Sequence, residues 1–286
     1  MTVQFLLVQT LNALSFAALL FFLASGFTLI FGLMRIVNLA HGAFYLVGGY
    51  VALTTIAATG NFWLGLLAAP LAVAIAGLLT ERVLLRRIRG QELPEVLLTV
   101  GVAFIFADMA LEIWGGDPRS IELPAFLQGG MDLGFATFPR YRVLVMVAAF
   151  AVGVMLFVLH SRTRYGAIVR AGVDDREMIA ALGVNIDRVF AGVFVFGSLL
   201  AGLAGVIGGG MLSLLPGADT EILLYSLAVV IIGGLGSLPG AVIGSLIVGF
   251  ADAFGRALAP ELSYFTLFAP MALILVLRPH GLLGGR

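Results

Sequence analysis

The sequence contains no cysteine, and all sixteen of its basic residues are arginine. Without cysteine the chain has neither a disulfide framework nor a thiolate-ligated metal site. Charge of either sign is scarce: charged residues make up 11% of the chain, against roughly 25% in soluble domains. With 61% hydrophobic residues, such a chain cannot cover a water-facing surface. We therefore predict an integral membrane protein.

Other absences narrow the possible functions. The formal net charge is zero, which argues against nucleic acid as a partner. No GxxxxGK[ST] loop is present, so we expect the chain to have no nucleotide site of its own. We predict no catalytic residue, no metal and no cofactor in this chain. The first 16 residues lack the basic segment of a signal peptide, so we expect a first membrane segment there.

The long apolar stretches show no strand-like alternation, which favours helices over a barrel. A helix needs about 20 apolar residues to cross a hydrocarbon core of roughly 30 Å. The sequence predicts an all-α polytopic membrane protein with about eight or nine transmembrane helices in a single domain, residues 1–286. The predicted helices lie near residues 8–33, 42–59, 62–82, 95–114, 142–160, 188–212, 220–235, 239–258 and 262–278.

The arginines predict the orientation of these helices. Alternating spans place three arginine-bearing regions on one side of the membrane: the loop at 81–95, the stretch 160–188 and the C-terminal tail. These regions carry eleven arginines, against four on the opposite side. Cytosolic loops are enriched in basic residues, so we expect a cytosolic C-terminus and a periplasmic N-terminus.

Two polar or glycine-rich interruptions join apolar segments, one near each end of the chain. The first is RIVNLAHG at 35–42, and the second is GGLGSLPG at 233–240. Paired broken helices in transporters often mark the substrate path near the midplane. We therefore consider a path lined by Asn38, His41, Gly42, Gly234, Gly236 and Ser237. The alternative is that both are ordinary tight cytosolic turns, with Arg35 at the interface.

Ionisable residues inside the predicted helices include Asp108, Glu112 and Asp252. Asp252 and Arg256 are four residues apart, which predicts an ion pair along one helix face. Asp108 and Glu112 lie toward the outer end of their helix, where structural pairing or a wet outer vestibule accounts for them. A second reading is that these carboxylates are ion sites.

The stretch from His160 to Arg188 concentrates charge, with five arginines and four acids between two uncharged segments. Asp174 at an N-cap and Glu177 three residues later have capping-box spacing, and Gly183 is a left-handed stop. We predict a short cytosolic helix over 174–183 with an Ala180-Ala181 surface. So short a helix needs a partner to pack against, and we expect it to dock another protein. The alternative is a surface segment that binds anionic lipid through its arginines.

Glu177, Ala180, Ala181 and Gly183 resemble the EAA coupling motif of ABC importer permeases. The segment GFTLIFGLMRIVNLAHG at 26–42 resembles the signature of the high-affinity branched-chain amino acid permeases, the LivH type. GGLGSLPGAVIG at 233–244 and RPHGLLG at 278–284 are similar to further segments of that family. One departure is Ala43, where the family often has an acid.

This resemblance implies the inner-membrane permease subunit of an ATP-driven importer. Its expected partners are a LivM-type sister permease, two ATPase subunits of the LivG and LivF type that bind ATP and Mg²⁺, and a periplasmic binding protein. The expected substrates are branched-chain or hydrophobic amino acids, or a related compound such as urea, a short amide or an aromatic acid. The coupling residues implied are Asp174, Glu177, Ala180, Ala181 and Gly183. A rival reading is an ion-coupled secondary transporter that uses Asp108 and Asp252, and another is a channel or scaffold.

Overall fold

Twelve helical segments make up most of the computed structural model, which describes residues 2–174 and 176–284, apart from the side chains of residues 173, 174, 176, 177, 263, 264 and 267. In chain order they are α1 (Val3–Met34), α2 (His41–Thr59), α3 (Phe62–Leu79), α4 (Arg86–Ile88), α5 (Glu92–Trp114), α6 (Arg140–Arg162), α7 (Arg164–Asp174), α8 (Arg176–Ala181), α9 (Ile186–Met211), α10 (Ala218–Gly233), α11 (Leu238–Leu258) and α12 (Ser263–Leu277).

Each of the nine predicted apolar helices has a counterpart, which confirms the all-α polytopic fold. Seven helical segments among the described residues are long and apolar enough to cross a membrane, with α3 and α4 counted as one. The other two, α10 and α12, have 16 and 15 residues. Both are shorter than a full crossing at 1.5 Å per residue.

Two local elements were not predicted. A π turn at Thr80–Leu85 continues α3 into α4, so this helix runs deeper into the arginine-rich loop than expected. The loop after α5, predicted to be irregular, contains a hairpin of two short strands, β1 (Gly130–Asp132) and β2 (Thr137–Pro139). Its turn is closed when the Asp132 carboxylate accepts a hydrogen bond from the Gly134 amide.

The centre of the bundle is α1, which packs against α6, α9, α10 and α11. Its most apolar 18-residue window is 78% buried, whereas the corresponding windows of α5 and α6 are each 17% buried. A helix that is apolar all round is buried in a core or faces lipid. The helix α1 is therefore the core of this subunit, and α5 and α6 present apolar surface outward.

Glycine contacts bring α2 and α9 together. A side chain at Gly48 would meet the Cα of Gly202 at 2.6 Å, and one at Gly205 would collide with the Tyr45 carbonyl oxygen. Small residues let helix backbones approach in membranes, where packing rather than the hydrophobic effect holds helices together. These contacts fix the position of α2 along the axis of α9.

The two ends of the bundle are recognisable from loop contacts. At one end, the backbones of Arg119 and Leu214 exchange two hydrogen bonds, which join the loop after α5 to the loop after α9. At the other end, Arg86 and Arg89 both pair with Asp187 at the start of α9. The arginine-rich loop and the 160–188 stretch thus share one end, as the alternation of spans predicted. We call it the arginine-rich end and the opposite one the outer end.

Replacing Gly48 by leucine should prevent the close approach of α2 to α9. We expect a folded yield and a melting temperature in detergent well below those of the wild type, because backbone atoms of α9 cannot give way. The control is Gly101→Leu, at a glycine with open space around its Cβ position. Equal stability of the two variants would contradict the packing described.

Candidate functional site

A cavity of about 600 Å³ opens between α1, α2, α9, α10 and α11 near the outer end. Its volume lies within the range of small-molecule sites. Apolar side chains of Phe16, Leu215 and Ile222 share its wall with polar and charged groups. Those groups are Gln9, Asn12, Ser15, Ser213, Tyr45, Tyr225, Arg142, Glu221, Asp252 and Arg256.

Three of the polar residues form a closed network. The Tyr225 hydroxyl donates to Asp252 Oδ1 at 2.6 Å, Arg256 Nε donates to the same oxygen at 2.9 Å, and Arg256 Nη2 donates to the Tyr225 hydroxyl at 2.7 Å. The predicted pairing of Asp252 with Arg256 along one helix face is confirmed. Asp252 is buried, so these hydrogen bonds compensate the cost of removing its carboxylate from water.

The remaining charges of the cavity are less constrained. Arg142 Nη1 donates to Asn12 Oδ1 at 2.6 Å, and Glu221 lies 3.8 Å from Arg256 with a side chain that is half exposed. The two arginines and two carboxylates in the wall balance formally. The cavity therefore presents both signs of charge beside apolar surface.

The first predicted interruption turns back into the bundle. Arg35 ends α1 in a left-handed conformation with φ of 56°, and its side chain is exposed. The chain then runs back until His41 Nε2 donates to the carbonyl of Leu23 at 2.9 Å. Leu23 lies eleven residues before the end of α1, about 16 Å along the helix axis. The helix α2 therefore begins inside the protein rather than at the end of α1.

Polar side chains of this segment are fully enclosed. Asn38 Oδ1 accepts from the Ala40 amide at 3.1 Å, and the Leu39 amide donates to Thr99 Oγ1 on α5. Asn38 Nδ2 and His41 Nδ1 are buried and form no hydrogen bond within the described part of the chain. Buried polar atoms are seldom left in this state, so each such atom calls for an explanation.

Gly42, the next predicted path residue, is packed against α10. A side chain there would collide with the carbonyl oxygen of Asp219 and meet Leu223 Cβ at 2.9 Å. Tyr45, one turn along α2 from His41, does line the outer cavity. The predicted residues Asn38, His41 and Gly42 therefore do not border the cavity, although His41 and Gly42 lie within about one turn of Tyr45 on α2.

The second interruption is a tight turn. Gly234 and Gly236 have φ of 104° and 81°, values that favour glycine, and Ser237 caps α11 by accepting a hydrogen bond from the Gly240 amide. Amides of the C-terminal tail donate to the carbonyls at 232 and 233, both at 2.9 Å. Gly236 lies against Gly32 near the end of α1. These three predicted path residues do not border the outer cavity.

The predicted coupling segment is helical up to Asp174 in α7 and from Arg176 to Ala181 in α8, and residue 175 between them lies outside the described residues. The helix ends at Ala181, two residues before the predicted end at 183. The side chains of Asp174 and Glu177 lie outside the described residues, and so does their capping box. Gly183 has φ of 83°, as a left-handed stop requires. The side chains of Met178, Ala180, Ala181 and Leu182 are exposed, whereas Ile179 is buried.

A cluster of ions connects this region to the membrane helices. Arg89 pairs with Glu81, which is buried in the π turn, and with Asp187 at the start of α9. Its guanidinium also lies 4.5 Å from the centre of the Phe190 ring. Sequence reasoning missed this cluster, although Glu81 is the sole acid between Met1 and Ile88 and so marked the place.

Comparison with known proteins identifies the chain. Residues 9–277 match the family described as the permease component of branched-chain amino acid transport systems. The chain belongs to this permease family. It is therefore a permease subunit of an ABC-type importer and not an enzyme, as the motifs at 26–42 and 233–244 predicted.

Relatives of the permease include LivH of Escherichia coli K12, 31% identical over 306 residues, which cover 99% of this chain and 98% of LivH. BraD of Pseudomonas aeruginosa is 31% identical over 297 residues, covering 96% and 95% of the two chains. LivM of Escherichia coli is 28% identical over 285 residues, covering 91% of this chain and 67% of LivM. The fold is similar to that of PsaBC from Streptococcus pneumoniae in complex with Fab, with a TM-score of 0.50, 14% identity, and coverage of 93% and 89%.

Asp252→Asn in the permease should lower the melting temperature, because the shared acceptor of Arg256 and Tyr225 changes from a charged carboxylate to a neutral amide oxygen. A hydrogen bond to a charged group contributes about 1.5–3 kcal/mol to the free energy of unfolding. Because the Arg256 side chain is half exposed, we expect a loss at the lower end of that range. Glu221→Gln is the control in the same cavity, with an expected effect within about 0.5 kcal/mol. Thermal unfolding in detergent measures both, and equal losses would show that the network is not specific.

Proposed function

We propose that the permease moves its substrate from the outer cavity to the arginine-rich end past the interrupted segment at 35–41. The observation that carries this is the position of α2: Tyr45 lines the cavity, and one turn earlier His41 is buried with an unpaired nitrogen. In the described conformation this segment is closed. A second conformation that opens it gives Asn38 and His41 polar partners, either the substrate or water.

The proposed substrate is a branched-chain or other hydrophobic amino acid, or a related small compound. Two properties of the cavity support this class. A zwitterion is complementary to the balanced charges of Arg142, Arg256, Glu221 and Asp252. An aliphatic side chain is complementary to the apolar surface of Phe16, Leu215 and Ile222. The known relatives bear the names of branched-chain amino acid permeases, which agrees with both properties.

The proposed assembly contains a sister permease of the LivM type, two ATPase subunits of the LivG and LivF type, and a periplasmic binding protein. ATP and Mg²⁺ belong to the ATPase subunits, since this chain has no phosphate-binding loop. We place the assembly in a bacterial inner membrane, with the outer end and the N-terminus in the periplasm and the arginine-rich end in the cytosol. The outward apolar surfaces of α5 and α6 are available to lipid or to the sister permease.

The exposed surface of α8 is the proposed docking site for an ATPase subunit. An apolar patch at the end of this segment is formed by Met178, Ala180, Ala181 and Leu182, and such a patch suits packing against a groove of a partner. Two links can carry a movement of α8 into the membrane. In the first, Gly172 of α7 packs on Leu33 of α1; in the second, Asp187 of α9 pairs with Arg86 and Arg89.

Gly183→Asp tests this coupling. A side chain at a positive φ strains the end of α8 and adds charge beside the patch, so we expect ATP-dependent uptake in proteoliposomes to fall at least severalfold while membrane insertion is retained. Gly60→Asp is the matched control, because Gly60 has φ of 66° and equally open surroundings at the outer end. Wild-type uptake by Gly183→Asp would exclude α8 as the lever.

The absence of cysteine provides a direct test of the path. A single thiol introduced as His41→Cys should react with a water-soluble maleimide in one nucleotide state of the assembled complex and not in another. Thr59→Cys, at an exposed position, should react in every state, and Ala201→Cys, fully buried in α9, in none. Lack of reaction at 41 in every state of an active transporter would exclude this segment from the path.

The same preparation distinguishes the importer from an ion-coupled transporter. We expect uptake to require ATP and to be indifferent to a proton or sodium gradient. Uptake driven by a gradient without ATP would favour the secondary transporter.

A further inference from the structure

A second cavity, of about 230 Å³, lies between α6, α7 and α9 at the arginine-rich end. We call it the α6–α9 pocket. It is separate from the outer cavity, and neither the proposed path nor the α8 patch contributes to it. Its wall is formed by Leu29, Leu156, Leu159, His160, Tyr165, Gly166, Val169, Arg188, Val189, Gly192, Val193, Phe196 and Leu238.

One glycine opens this pocket. A side chain at Gly192 would meet no atom within 4 Å, unlike most glycines of the bundle. Arg188, Gly192 and Phe196 follow at intervals of four residues and so share one face of α9. Between Arg188 at the helix start and the Phe196 ring, the helix surface is therefore recessed. The recess accepts a slender apolar group that enters from the side of the bundle.

The rim of the pocket is basic. Arg188 belongs to the wall, and Arg162 and Arg164 are exposed between the wall residues His160 and Tyr165. No ion pair formed by described side chains involves any of the three arginines. Asp187, the acid next to Arg188, is held by Arg86 and Arg89. Among the described side chains, these arginines therefore leave positive charge at the mouth of an apolar recess.

The level of the pocket in the membrane indicates the class of ligand that fits it. Arg162 ends α6 and Ile186 begins α9, so the rim lies where two membrane-spanning helices leave the hydrocarbon core. Phospholipid headgroups meet acyl chains at this level, and basic pockets between helices on the cytosolic side bind anionic headgroups. A peptide ligand, in contrast, would need partners for its backbone amides, which the apolar wall does not offer.

We propose that the α6–α9 pocket binds an anionic phospholipid, with one acyl chain over Gly192 and the phosphate at Arg188 together with Arg162 and Arg164. Such a lipid contacts α6, α7 and α9 at once. Because α7 packs on α1 through Gly172 and leads into α8, the bound lipid holds the coupling segment against the membrane helices. This inference does not depend on the identity of the transported substrate.

The test measures lipid retained by the assembled complex. The complex is purified in detergent, exposed to equal amounts of phosphatidylglycerol and phosphatidylcholine, and examined by native mass spectrometry. We expect retention of phosphatidylglycerol by the wild type. Gly192→Leu should lose most of it, because the new side chain fills the space of the acyl chain. Gly101→Leu, at an equally open glycine on α5, should retain it.

The headgroup contact is tested separately. Arg188→Gln should reduce the preference for phosphatidylglycerol over phosphatidylcholine about fivefold, as expected for loss of one basic side chain near the surface. Undiminished retention by Gly192→Leu would overturn the proposal. Retention by the isolated permease but not by the complex would also overturn it, because another subunit would then cover the pocket. ATP-dependent uptake by a complex that retains no lipid would disprove this proposal and leave the importer function intact.

Discussion

The return of the chain after α1 is the constraint on which the other features depend. Non-helical backbone inside a membrane protein is tolerated only where the protein satisfies its polar groups. Here the Asn38 side chain, Thr99 of α5 and the Leu23 carbonyl supply partners for residues 38–41. These bonds set the point at which α2 begins. The outer cavity exists because α2 starts inside the bundle and presents Tyr45 to it.

Closed glycine packing then makes this arrangement rigid. Gly42 lies against α10, and Gly48 and Gly205 bring α2 onto α9. A helix held on two sides by backbone contacts moves as a unit with its neighbours rather than sliding past them. The link from Asp187 to Arg86 and Arg89 attaches the same α9 to the arginine-rich loop. A displacement at the arginine-rich end thus has a continuous packed route to the wall of the cavity.

Much of the fold was predictable, because hydrophobic length and arginine placement report directly on membrane spans. The ends of α2, α5 and α11 lie within three residues of the predicted ones. The surroundings of the predicted path residues were harder to predict, since apolar periodicity does not say which helix face meets which neighbour. Asn38 and His41 stood out as polar residues in apolar sequence, and the structure encloses them. The glycine-rich sequence around Gly234, Gly236 and Ser237 was also interpreted as a broken helix, and these residues form a tight turn. The sequence could not distinguish the two, because glycine is used both in close helix packing and in tight turns.

The ionic features show a further limit of sequence reasoning. The spacing of Asp252 and Arg256 along one helix predicted their ion pair. Tyr225 belongs to another helix, so nothing in the local sequence indicated that it would join them. Glu81 and Arg89 are eight residues apart, and the π turn between them gives their contact a geometry that α-helical spacing does not predict.

The tail contact at residues 282 and 283 has a consequence for how this protein can vary. Those two bonds join main chain to main chain, and they require the tail to reach the turn after α10, at a distance set by the chain between Leu277 and Leu282. The close approach also excludes a side chain at Gly281, which has a φ of 77° and lies against Gly234, and at Gly284, which lies against the carbonyl oxygen of His280. Both the length of this segment and its two glycines are therefore constrained. Insertions, deletions and glycine replacements here carry a structural cost that an ordinary exposed terminus does not.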